Sequence, residues 1–133
     1  MLQKNSGYDS GMLYGNALIR QVDTEENDTK LRLKLLYDDR EYISYLYQDV
    51  YYSQIDKKTI GKRIALVTEL EPGQLDAIRH RYSIGRLLMD HKQRDISFLY
   101  EHATHGYRIL MHYFAGTGER IVIAKQLRKI PYG

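Results

Sequence analysis

The chain contains no cysteine and no tryptophan, and only two prolines and two phenylalanines among its 133 residues. Without thiols, a disulfide framework and a thiolate metal centre are both excluded. No run approaches the roughly 18 apolar residues that a membrane span needs. The N-terminus, Met1-Leu2-Gln3-Lys4-Asn5-Ser6, has no apolar core of a secretory signal. A cytosolic location without membrane attachment is therefore expected. Catalytic and cofactor signatures are also missing. Ser83 and Ser97 lack the Gly-x-Ser-x-Gly frame of a nucleophile elbow. Gly116-Thr117-Gly118 lacks the lysine of a phosphate loop and reads as a hairpin turn. No cofactor is expected.

What is present is an ordinary globular balance, 43% hydrophobic and 28% charged, and this length suits one domain. Charge, however, is unevenly placed. Residues 1–56 hold 6 Lys/Arg against 10 Asp/Glu, and residues 57–133 hold 14 against 7. A basic half of this kind suits contact with an anionic partner such as nucleic acid. Tyrosine is abundant, with 13 residues, and is dense between Tyr37 and Tyr52. An apolar body with a polar tip favours interfaces, so Tyr42, Tyr45, Tyr47, Tyr51 and Tyr52 are candidate partner-binding residues.

Residues 1–29 read as an irregular segment, with enough apolar content for a short element only from Leu13 to Val22. Residues 30–133 read as a single α+β domain. Leu31–Tyr37 alternates apolar and basic residues, which predicts a half-buried strand. Over Arg40–Ile55, Ile43, Leu46 and Val50 sit at helical spacing and Ile43, Tyr45 and Tyr47 at strand spacing; a helix capped by Asp38-Asp39 is the expectation, and Ile60, Ile64 and Val67 predict a second helix over Thr59–Leu70. Glu71-Pro72-Gly73 is a stop, and residues 74–93 are helical or irregular. Asp95–Tyr100 alternates as a strand. Two further strands, around Ile109–Phe114 and Ile121–Ala124, are apolar on both faces and should be central strands covered by helices. The expected fold is a small antiparallel sheet ending in a three-stranded meander, packed on two or three helices.

Cations gather at the far end of this hairpin. Arg108 begins one strand, Lys125 ends its neighbour, and Arg128, Lys129 and Tyr132 follow. Arginine supplies paired hydrogen bonds to phosphate and lysine a point charge, so the group suits an RNA backbone. His102, His105 and His112 could hold zinc if they converged, but two of them fall in an expected loop and no metal site is assigned. One of them could instead serve as a general acid or base.

The run through Asp95–Tyr100, Gly106-Tyr107-Arg108-Ile109-Leu110, Gly118, Arg120-Ile121-Val122-Ile123 and Arg128-Lys129-Ile130-Pro131 resembles the C-terminal half of the RelE/HigB toxin superfamily. The resemblance implies a small basic protein that cleaves mRNA on the ribosome without metal and is held by an antitoxin. It implies that Arg108 contacts the phosphate, that Lys125, Arg128 and Lys129 support it, and that Tyr132 is an acid or base. Arg120 would join the nucleic-acid contacts. A second resemblance is to the chorismate lyase/UTRA ligand-binding fold. There Lys62–Glu69 is a strand and Ile84–Leu88 a helix. The arginine expected near Tyr52-Ser53 and the glutamate near Lys125-Gln126 are missing, which implies a small-molecule binder. A third reading is a protein-interaction or inhibitor protein from a mobile element, working through the tyrosine-rich surface. The toxin reading requires a helix over Arg63–Leu70, the ligand-binding reading a strand.

Overall fold

The computed structural model describes residues 12–38, 40–116 and 118–130. Among the described residues seven strands are present: β1 (Met12–Tyr14), β2 (Ala17–Glu25), β3 (Lys30–Tyr37), β4 (Glu41–Ser53), β5 (Arg63–Leu70), β6 (Arg108–Phe114) and β7 (Gly118–Ile130). Three helices, α1 (Pro72–Ala77), α2 (Tyr82–Asp90) and α3 (Phe98–Thr104), lie between β5 and β6. The fold is α+β and dominated by antiparallel sheet, larger than the small sheet expected.

Pairing runs β1-β5-β2-β3-β4-β7-β6, and β6 pairs again with β5. Six strands, β2 to β7, therefore close into a ring, which leaves no free edge among them. Closure needs bends, and register shifts supply them between Ile19/Gln21, Val50/Tyr52 and Ile64/Leu66. Ile19 and Val22 both point inward across the first shift, and Ile64 and Val67 across the last.

Two cores result. Inside the ring, Leu31, Leu33 and Leu35 of β3 meet Ile43, Tyr45 and Tyr47 of β4, with Ile64, Val67, Leu110, Phe114 and Val122. Outside, Ile109 and Met111 of β6 and Ile121 and Ile123 of β7 pack against Leu75, Ile84, Leu87, Ile96 and Leu99 of the helical insertion. The β6–β7 hairpin is thus apolar on both faces, with the ring interior on one and helices on the other.

Several expectations are corrected. Arg40–Ile55 is not helical: Glu41–Ser53 is β4, and Tyr37 pairs with Glu41 across a tight turn in which Asp38 has φ of 51°. Asp38 makes a turn instead of a helix cap. Thr59–Leu70 is not helical either; Lys57–Thr59 is one 3-10 turn and Arg63–Leu70 is β5. Asp95–Tyr100 is not a strand. The Asp95 carboxylate accepts from the Ser97 amide at 3.0 Å, and Ile96 and Leu99 bury the inner side of α3 and the turn before it. The expected meander is consequently a β6–β7 hairpin. Ala17–Glu25, within the segment expected to be irregular, is a nine-residue strand of the ring. No helix among the described residues is long and apolar enough to cross a membrane.

Candidate nucleic-acid interface

Alternation along β3 decides what the ring shows to its surroundings. Leu31, Leu33 and Leu35 face in, so Lys30, Arg32, Lys34 and Leu36 face out. Register then carries the outward rows across the sheet. Arg32 stands opposite Leu46 on β4, and Leu46 stands opposite Arg128 on β7. In the next row Lys34, Ser44 and Ile130 are aligned, and beyond it Leu36 and Tyr42. Arg32 and Arg128 thus flank Leu46 from two sides, about 10 Å apart at ordinary strand spacing. Their aliphatic stems are placed to shield the buried Leu46 while the guanidinium groups stay wet.

Among the described residues, Arg20, Arg32, Lys34 and Arg128 enter no ion pair. Asp23, across from Arg32, instead accepts from the Gln21 amide at 2.6 Å. Lys34 lies 4.9 Å from the ring centre of Tyr42, which is 42% exposed. Free cations beside an accessible aromatic ring are the components of a single-strand nucleic-acid surface.

The residues expected to carry cleavage do not converge. Arg108 is opposite Ala124 and donates through Nε and Nη2 to Glu69 Oε1 at 3.0 and 2.8 Å. That places it on the inward face at one mouth of the ring, already neutralised. Lys125 projects the other way, 5.0 Å from the Tyr107 ring centre. Arg128 lies three residues further along β7, about 10 Å at strand rise. Lys129 is exposed on the neighbouring position, opposite Tyr45. Arg120 is near the start of β7 and donates to the Gln54 carbonyl at 2.9 Å. Tyr132 lies outside the described residues.

The tyrosines separate as well. Tyr45 and Tyr47 are ring core and cannot meet a partner, a correction forced by the strand alternation of β4. Tyr42 is on the cationic outer face. Tyr51 sits among His91, His102 and Tyr107, with ring centres 5.2, 4.2 and 5.8 Å away. Tyr52 donates to Asp90 at 2.7 Å, tying β4 to α2. Among the described residues no three His, Asp or Glu side chains are placed to hold a metal ion. His102 and His105 each direct Nδ1 to a backbone carbonyl one helical turn back, Phe98 and Glu101.

His112 is inside the ring. Its Nδ1 donates to the Leu110 carbonyl at 3.1 Å, which leaves Nε2 to accept from the Tyr47 hydroxyl at 2.6 Å. Tyr47 in turn accepts from Tyr14, whose ring stacks on Tyr45 at 3.9 Å. Burial holds the imidazole neutral and pulls its pKa down to about 4. Burial also raises the Tyr14 and Tyr47 hydroxyls well above the usual phenol range. The chain is a satisfied core network, with no route to a substrate.

Sequence reasoning missed Arg32 and Lys34 as site residues because they belong to the acidic half. The signal was available: basic residues alternate with leucine in Leu31–Tyr37, and the strand expected there presents them on one face. No protein-family model, curated protein or solved structure matches the chain.

Proposed function

We propose that the protein binds single-stranded RNA on the outer face of β3, β4 and β7. One observation carries this reading: Arg32 and Arg128 flank Leu46, unpaired, with Lys34 and the exposed Tyr42 in the adjoining rows. Phosphates would meet the guanidinium groups and bases would stack on Tyr42. The reading is for binding without cleavage, since Arg108, Lys125 and Arg128 stand apart. Arg63–Leu70 is a strand, where the toxin-like resemblance expects a helix.

Fluorescence anisotropy with a labelled RNA oligonucleotide tests it. Affinity should fall steeply as salt rises from about 50 to 200 mM. Arg32→Glu with Arg128→Glu should weaken binding at least tenfold and reduce the slope of log K on log salt by roughly 1.4, two single-strand phosphate contacts. Arg108→Ala should bind like the parent, and the RNA should be recovered uncut. Unchanged binding by the double variant defeats the proposal. Cleavage abolished by Arg108→Ala would restore the nuclease reading.

A second reading, small-molecule binding, is favoured by the strand at Arg63–Leu70 and the helix spanning Ile84–Leu88, both in the order the ligand-binding resemblance expects. Its candidate site is a cleft at the other end of β7, beside the start of α2.

A further inference from the structure

Helix α2 begins without a cap. Arg81 occupies the position before its first residue, with extended backbone and no side-chain hydrogen bond to the first turn. The amides of Tyr82, Ser83 and Ile84 therefore have no intrahelical acceptor, and the positive end of the helix is unanswered. Serine at the second helical position normally finds a backbone or water partner. Here Ser83 is 2% exposed and its Oγ has no hydrogen-bond partner.

The helix end opens on one cleft of about 280 Å³, lined by Gln54, Tyr82, Ser83, Arg86, Gly118, Glu119 and Arg120, while the Ser83 hydroxyl itself has almost no surface open to it. Its wall is rigidly built around Gln54, itself buried. The Gln54 side chain donates to the Ser83 carbonyl at 2.9 Å and to Tyr52 at 2.8 Å, and accepts from the Ile121 amide at 2.9 Å. Arg120 is anchored by the Gln54 carbonyl through one nitrogen, which leaves its other donors unassigned. The one carboxylate in the lining, Glu119, is taken by Arg81 at 3.2 Å to each oxygen. Arg86 approaches Asp90 only at 3.6 Å. Two guanidinium groups and an uncapped helix end thus converge, and the competing anion is already neutralised.

We propose that this cleft is a binding site for the phosphate group of a small phosphomonoester. A tetrahedral dianion has enough acceptor oxygens to satisfy the first-turn amides and both arginines together, which a planar carboxylate does not. The remaining volume admits the carbon skeleton, and Tyr82, 81% exposed, stands at the rim. The site is independent of the RNA face: Arg120 and Arg128 are eight residues apart on β7, about 26 Å.

Amide NMR titration of the full chain tests the proposal, with inorganic phosphate and glycerol phosphate as probes and acetate at matched ionic strength as control. Saturable shifts confined to the Tyr82–Ile84 and Arg120 amides are expected, with glycerol phosphate half-saturating on the order of 1 mM. Arg86→Gln, compatible with the fold, should weaken it by about tenfold, the loss of one charge-assisted hydrogen bond. Arg32→Glu should leave it unchanged while weakening RNA, so the two readings fail separately. Non-saturating shifts, an equal response to acetate, or full affinity in Arg86→Gln would overturn the site.

Discussion

A single buried imidazole gives the core a pH dependence whose sign follows from its surroundings. His112 is neutral in the folded ring, with its pKa lowered to about 4 by burial. An unfolded chain restores an ordinary value near 6.5. Between those values the unfolded state binds a proton that the folded state refuses, so stability falls as pH drops from about 6.5 to 4 and this contribution levels off below. The largest loss from this residue is about 3 kcal/mol. His112→Gln keeps an acceptor for Tyr47 and removes the titration. Urea unfolding at pH 7 and pH 4.5 should show the parent losing more stability than this variant. Parallel pH profiles would mean that the imidazole is not excluded from water as described.

At the scale of elements, β-bulges do two things at once. They bend strands enough to close the ring, and they place inward residues three apart: Ile19 and Val22, Ile64 and Val67. Tyr47 and Val50 share this spacing at Asp49, whose φ is 55°. That is also the spacing of a helical face, which is why Ile64 and Val67 make Thr59–Leu70 read as a helix from the sequence alone; in Arg40–Ile55 the outward but buried Leu46 stands at helical spacing from Ile43 and Val50. The undistorted elements were legible: β3 by its clean alternation, and the β6–β7 hairpin by two apolar faces around a glycine turn. Lys34 and Arg32 became site residues only once register had set them beside β7. The bulge in β5 has its own support. The Ala65 carbonyl accepts from the Asn16 amide at 3.1 Å, and Gly15 lies so close that a Cβ would overlap that carbonyl oxygen. Backbone on both sides leaves little room to yield. Gly15→Ala should therefore cost about 1–3 kcal/mol in chemical denaturation. A neutral result would show that β1 moves freely against β5.

The whole molecule is a ring with one side wall thickened by helices, and its two cores meet through β6 and β7, with Tyr52 of β4 and Leu70 of β5 reaching the outer one. The interior is sealed by pairings from distant parts of the chain, such as Tyr47 with Leu127 and Ile64 with Phe114. It can be lost only by breaking the ring. The outer core depends instead on short helices of six, nine and seven residues, none stable without packing. The two layers should therefore respond differently to equal truncations. Leu33→Ala empties the interior, and Leu87→Ala empties the contact of α2 with β7; each removes a fully buried leucine at about 2–5 kcal/mol. Native-state hydrogen exchange separates them. Leu33→Ala should speed exchange of every protected amide together, because the ring opens as a unit. Leu87→Ala should speed amides of residues 72–104 by a larger factor than those of β3 and β4, since the helical layer can open while the Tyr14–Tyr47–His112 chain stays closed. Uniform acceleration in both variants would instead make ring and helices one cooperative unit, and the phosphate cleft at the N-terminus of α2 would then be as rigid as the ring it leans on.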